Sequence, residues 1–336
     1  MDQPKIPVDI LLAHLAKDSE KAQARFRKAA DVLLGPLDTA IATTPCEVVY
    51  EEDRVKLKRY VPVRERELNT PLLVVYALIN RETMLDLQPG RSVVRSLLEN
   101  GIDLYMVDWG YPTRKDRFLT IDDHVNGYMD NLVDFIRRRH KLRKINLMGI
   151  CMGGTFSVIY AALHPKKIKN LITTVTPTHF NTNQGLLHTW MRAMGVDRLV
   201  ETFGNMPGDL LNFLFLLLNP ARLMIDKYIG LLEQIDNKEF VENFIRMEKW
   251  IFDSPDQAGE AFRQFVGWLF RENRLVRGTL ELGRRRVDLR AVACPVLNVY
   301  ATQDHLVPPS ASLPLGALVG TQDYSTFAFP GGHIGI

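Results

Sequence analysis

Apolar residues change their spacing twice along the first third of the chain, and each change marks a different kind of element. From Val8 to Leu34 they fall at helical intervals (Ile10, Leu11, Leu15, Phe26, Val32, Leu33) among Lys, Arg and Asp, until Gly35-Pro36 ends the run. This predicts an amphipathic N-terminal helix or helix pair within residues 1–36. Glu47–Tyr50 and Arg54–Val61 then alternate in the manner of strands around Glu52-Asp53, which predicts an antiparallel hairpin. From there the apolar positions become continuous. Leu72–Ile79 is one buried run, Ser92–Glu99 reads as a helix closed by Gly101, and Asp103–Val107 is a second buried strand. Thr120 can cap a helix reaching about His140, followed by a strand at Ile145–Ile150, a helix from about Gly154 to Leu163 and a strand at Leu171–Val175. Val296–Ala301 and Ser325–Phe329 complete the series.

Short strands that are apolar on both faces and alternate with helices imply an α/β fold with a mostly parallel, doubly wound sheet, because parallel neighbours need right-handed crossovers that cover the sheet. One stretch breaks the alternation. From Thr178 to Leu289 no clear strand is visible, and the apolar repeats, including Leu210–Leu218 and Phe240–Phe252, are helix-compatible. This predicts a helical cap, residues 178–289, inserted into a core built from residues 37–177 and 290–336.

Composition narrows the functional classes. The 336 residues are 46% apolar and 24% charged, which excludes a disordered or low-complexity chain. A formal charge of +3 provides no field that would argue for nucleic acid as the main partner. The start, M-D-Q-P-K-I-P, lacks the pattern of a secretory signal, and the most apolar stretch, Leu210–Leu218, is about half the length of a membrane span. A cytoplasmic protein is expected. The three cysteines, Cys46, Cys151 and Cys294, are too few and too scattered for a disulfide framework or a zinc site. No metal-ligand spacing and no dinucleotide fingerprint appear, so no metal or resident cofactor is expected.

The chemistry concentrates in G-I-C-M-G-G, Gly149–Gly154, at the end of an apolar strand and the start of a helix. That is the setting of the G-x-S-x-G nucleophile elbow, whose sharp turn needs small residues two positions either side of the nucleophile. Cysteine stands here in place of serine, and the dipole and N–H groups of a helix N-terminus favour a reactive sulfur. An acid and a histidine follow in the order of an α/β-hydrolase triad. Asp304 ends V-L-N-V-Y-A-T-Q-D, and His333 lies in G-G-H-I-G after the last strand. A buried structural cysteine in a glycine-rich crossing is the plain alternative for Cys151; the ordered trio favours catalysis. Met152 N–H and a second backbone donor near Ile79 or Asn80 are the expected oxyanion hole. His305 reads as a cleft neighbour of Asp304, His124, His140, His164 and His188 as satisfied surface residues on helices or helix ends, Asp323 as a weaker acid candidate, and Cys46 and Cys294 as small buried hydrophobes.

Taken with D-W-G-Y-P at Asp108–Pro112, N-R-E-T-M-L-D-L at Asn80–Leu87 and W-I-F-D-S-P-D-Q-A-G at Trp250–Gly259, these motifs make the chain resemble the poly(3-hydroxyalkanoate) synthases, over about Leu72 to His333. Its length is similar to the class III catalytic subunit. The resemblance implies an acyltransferase that polymerises 3-hydroxyacyl-coenzyme A, with 3-hydroxybutyryl favoured, at the surface of polyester granules. Coenzyme A would arrive on the substrate and leave free. Cys151 would carry the acyl group, His333 would be its base, and Asp304 would serve either the histidine or the incoming hydroxyl. A second, noncatalytic subunit is the expected partner, with room for a homodimer. Two other readings stay open: a cysteine-dependent esterase or thioesterase of the same fold, and a noncatalytic granule-surface scaffold. Only three residues follow His333, where an α/β-hydrolase ordinarily packs a further helix, so a shortened C-terminus is expected.

Overall fold

The computed structural model describes residues 23–25 and 27–335, so residues 8–22 and Phe26 of the predicted N-terminal helix lie outside the described residues. The chain divides into two compact units. One joins the described residues up to Ala40 to Asn219–Lys249; the other comprises Ile41–Leu218 and Trp250–Ile336.

In the first unit, residues 27–33 are helical and bury Ala29 among Leu231, Ile235 and Val241, with Val32, Leu37, Phe244 and Ile245 packed around them. The helical spacing of Ala29 and Val32 thus serves a small core of its own, while Leu33 is exposed. Arg246 secures the connecting segment, with its Nε donating to Ala40 O at 3.1 Å and its guanidinium 3.1 Å from Asp38.

The second unit is built on an eight-stranded sheet: β1 (Cys46–Glu52), β2 (Val55–Tyr60), β3 (Leu72–Val75), β4 (Leu104–Asp108), β5 (Ile145–Ile150), β6 (Ile168–Thr174), β7 (Val296–Ala301) and β8 (Tyr324–Phe329). They lie in the order β1-β2-β4-β3-β5-β6-β7-β8. The predicted hairpin β1/β2 is antiparallel and adds to β4 antiparallel, while β3 to β8 pair in parallel. Crossovers include α1 (Val93–Glu99), capped by Ser92 Oγ on Arg95 N, α2 (Asp130–His140), entered through a π-helical turn Asp123–Met129, and α3 (Met152–Leu163). Every residue of α3 is buried, Thr155 and Ser157 included, so the helix has no solvent-facing side.

Two of the departures from the sequence expectation have a physical reason in the structure. The apolar run Leu72–Ile79 is a strand only as far as Val75. Its second half leaves the sheet because its carbonyls are taken by side chains, as described below. The stretch expected to lack strands contains a short hairpin, Glu281–Leu282 against Arg285–Arg286, turned by Gly283 and Arg284 at positive φ. The strands are two residues long, too short to leave an alternating pattern. The helices of residues 178–289 in this unit include Leu186–Ala193, Val196–Phe203, Gly208–Leu216 and Gly259–Gln264, joined by loops and one isolated bridge between Met206 and Gln257. Among the described residues no single helix is long and apolar enough to cross a membrane.

Candidate active site

Cys151 is the residue where β5 becomes α3, and its backbone has φ 53° and ψ −124°. A non-glycine residue there is strained, and it persists only because its surroundings hold it. Cys151 N donates to Thr174 O at 2.9 Å on β6, while Cys151 O accepts from Gly154 N and Thr155 N at 3.0 and 3.2 Å. The flanking glycines are required by contact. A Cβ on Gly149 would lie 2.4 Å from Gly154 Cα, one on Gly153 2.3 Å from Val75 O, and one on Gly154 1.8 Å from Thr176 Oγ1. The elbow can therefore lie this close to β3 and β6 only without side chains at these positions. The Cys151 thiol is free and partly exposed.

The acid and the histidine meet at the carboxyl edge of the same sheet, where open α/β sheets place their binding crevice. Asp304 follows β7, and its side chain is fully buried. Its Oδ1 accepts from Leu306 N and Val307 N at 2.8 and 2.9 Å, which leaves Oδ2 to accept from His333 Nδ1 at 2.7 Å. The two backbone donors fix the carboxylate plane, so the imidazole is aimed by a rigid acceptor. The loop carrying His333 after β8 is tied back by Gln303 N to Gly331 O at 2.9 Å. Burial alone would lower the His333 pKa. The charge of Cys151, with hydrogen bonds to Asp304 and Cys151, outweighs burial and pushes it up to about 10. With Nδ1 committed to Asp304, Nε2 is the nitrogen left for the Cys151 sulfur.

The turn after β3 flanks this pair. Val75 O and Tyr76 O abut Gly153, and the buried Tyr76 hydroxyl is held protonated by burial first and the Cys151 charge second. Met152 begins α3, so its N–H has no intrahelical acceptor. Asn80 has φ 61°, and its carboxamide is used on Ser254 Oγ at 2.7 Å and Ile251 O at 3.3 Å.

The other candidates are otherwise engaged. Asp323 precedes β8 and so lies at the sheet edge opposite His333. His140 contacts Tyr105 Oη at 2.8 Å, and His164 contacts Asn126 Oδ1 at 2.7 Å. His124 and His188, expected as satisfied surface residues, are buried instead: His124 bonds Thr120 O at 2.7 Å and burial pushes its pKa down to about 4, while His188 bonds Phe180 O at 3.1 Å. Cys46, expected to be buried, is exposed at the start of β1, and Cys294 is partly exposed. Among the described residues no group of acidic, His and Cys side chains could hold a metal.

Sequence reasoning assigned no role to Trp109 and Gln257, although both sit in quoted motifs. Their signal was a buried indole and a buried amide beside Gly and Pro, a pattern that becomes meaningful only when the acceptor, a carbonyl far away in sequence, is known.

The family profile described as alpha/beta hydrolase fold matches residues 70–336, and that described as Poly-beta-hydroxybutyrate polymerase (PhaC) N-terminus matches residues 10–97. The chain is 47% identical over 333 residues to the poly(3-hydroxyalkanoate) polymerase subunit PhaC of Thiocystis violacea, covering 98% of this chain and 93% of that one. It is 47% identical over 332 residues to the Allochromatium vinosum protein of the same name, covering 98% and 94%. Among solved structures, a monoacylglycerol lipase of Paleococcus ferrophilus superposes with a TM-score of 0.50 at 16% identity, covering 79% of this chain and 87% of the lipase. That likeness is one of fold. The 47% relatives extend over nearly the whole chain, and the chain belongs to the poly(3-hydroxyalkanoate) polymerases, enzymes of the acyltransferase type built on an α/β-hydrolase fold.

Proposed function

We propose that the chain polymerises (R)-3-hydroxyacyl groups delivered on coenzyme A, with 3-hydroxybutyryl favoured, through a thioester on Cys151. The observation that carries this reading is the strained Cys151 at the head of α3, paired with a His333 that Asp304 holds from the other side. In the first step the Cys151 thiolate attacks the thioester carbonyl. The coenzyme A sulfur leaves and is protonated by the His333 imidazolium. One thioester replaces another, so the step is nearly balanced in free energy. In the second step His333, now neutral, takes the proton of a substrate 3-hydroxyl as its oxygen attacks the Cys151 thioester; the ester forms, the C–S bond breaks, and the polyester is longer by one unit.

Charge develops on the carbonyl oxygen in both steps. Met152 N–H and a backbone N–H of the turn at Ile79 or Asn80 are its proposed donors. Asp304 keeps His333 in the tautomer that presents Nε2 to sulfur. The family resemblance further supports a second, noncatalytic subunit and a granule-surface location, with homodimerisation as an additional mode of assembly.

Incubation of the purified chain with 3-hydroxybutyryl-coenzyme A tests the reading, following free thiol and insoluble product together. Both should rise. Thiol release without polymer would make the chain a thioesterase, and neither would leave it a noncatalytic scaffold.

A further inference from the structure

The turn after β3 exposes its carbonyls to side chains, and three of them are occupied. Trp109 Nε1 donates to Tyr76 O at 3.0 Å, Gln257 Nε2 to Leu78 O at 2.8 Å, and Trp250 Nε1 to Arg81 O at 2.8 Å. Two of these donors come from the strap Trp250–Gly259, whose sequence motif has no part in the chemistry above. Gln257 itself is only 3% exposed. Its main chain is fixed independently of its side chain, because Met206 N donates to Gln257 O at 2.9 Å and Gln257 N to Met206 O at 2.8 Å. The amide nitrogen also faces Pro255 O at 3.2 Å, so two carbonyls surround it and its identity as the donor is set by its neighbours.

A trans peptide unit is planar, and its C=O and N–H point in opposite directions. Whatever holds Leu78 O therefore sets the direction of Ile79 N–H. We propose that Gln257 is a positioning residue for acyl transfer: it orients the Leu78–Ile79 peptide so that Ile79 N–H is presented to the developing oxyanion. The proposal rests on the reading of Ile79 N–H as an oxyanion donor. It also assigns the strap a purpose. The cap segment preorganises a backbone donor that β3, ending at Val75, cannot hold through sheet pairing. Without the amide, Leu78 O would be left without this partner and the peptide would be free to rotate toward another one.

The test is a double-mutant cycle on the acylation step. One change is Gln257→Met, which keeps the length of the side chain and removes both N–H groups. The other replaces the Ile79 peptide N–H by an ester oxygen, through incorporation of the corresponding α-hydroxy acid. The ester should lower kcat on the order of 100-fold, as loss of one oxyanion donor does. Gln257→Met should lower it about 10-fold with KM within twofold, since the donor is misdirected and not removed. In the ester background Gln257→Met should have no further effect, because there is no N–H left to direct.

A structural role for Gln257 would give independent, multiplying losses in the cycle, and that result overturns the proposal. Wild-type kcat in Gln257→Met with a slow ester variant would also overturn it, leaving Ile79 as donor. A wild-type rate in the ester variant would instead overturn the reading of Ile79 beneath it. Gln257→Glu provides a second variant of nearly the same shape, with the same expected insensitivity in the ester background.

Discussion

Replacing Asp304 by Asn changes one atom at the centre of the site, and the structure says which one. Oδ1 accepts from Leu306 N and Val307 N at 2.8 and 2.9 Å, so the carbonyl oxygen of an introduced amide must take that place; an NH2 there would face two N–H donors. The NH2 is thus forced into the position of Oδ2, 2.7 Å from His333 Nδ1. Nδ1 then has to be an acceptor, and the ring hydrogen moves to Nε2, where the Cys151 sulfur needs a base. The imidazolium also loses one of the partners that push its pKa up to about 10. A wrong-tautomer change of this kind costs on the order of 10⁴-fold in serine triads, about 5.5 kcal/mol of barrier. A thiol depends less on its base than a hydroxyl does, so about 10³-fold is expected for Asp304→Asn here. The assay is rapid-quench measurement of Cys151 acylation beside elongation, with the His333 titration followed by NMR. Acylation should slow, and the His333 pKa should fall from about 10, while thermal stability changes little because both Oδ1 bonds survive. Wild-type acylation with slow elongation would refute the orienting role and assign Asp304 to the incoming hydroxyl.

Cys151→Ala should abolish turnover and lower the His333 pKa by removing the charge that raises it most, whereas Cys46→Ala and Cys294→Ala keep activity; mass spectrometry should find the acyl adduct on Cys151 alone. Gly154→Ala places a Cβ 1.8 Å from Thr176 Oγ1 and 2.7 Å from Thr176 Cγ2, so overpacking should cost about 1–3 kcal/mol in denaturant unfolding. Lys58→Met removes the cation 2.6 Å from Glu82 and 2.7 Å from Asp108, leaving Arg81 as their shared partner, and should destabilise by about 3–5 kcal/mol. Burial would raise the Asp108 pKa, but Lys58 and Arg81 hold it below its ordinary value, so its stabilisation is present above about pH 3.9 and lost as pH falls through the folded-state value. Without Lys58 that depression shrinks, and acid unfolding should begin at higher pH; an unchanged acid limb would contradict this.

Much of the molecule is legible in the sequence because its determinants are local. The strands β3 and β4 announce themselves as short apolar runs, since burial on both faces admits little else. The elbow is readable for a steric reason: a strained strand-to-helix turn packed against Val75 O and Thr176 admits only glycine at positions 149, 153 and 154. Asp304 and His333 are found because each follows a strand of a parallel sheet, and parallel strands bring their carboxyl ends to one edge however far apart they are in sequence. What the tertiary structure alone decided is where carbonyls find donors. Leu72–Ile79 is uniformly apolar, yet it stops being a strand at Val75, because Trp109 and Gln257 occupy carbonyls, Tyr76 O and Leu78 O, that a ladder would have used. Likewise His124 and His188 look like surface residues by position and are buried by packing, and Ala29 and Val32 lie on a helix whose partners, at Leu231 and Val241, come from the middle of the chain. Periodicity reports how an element faces its core; it carries no information on which distant donor will satisfy a particular carbonyl, because that depends on how the elements are brought together.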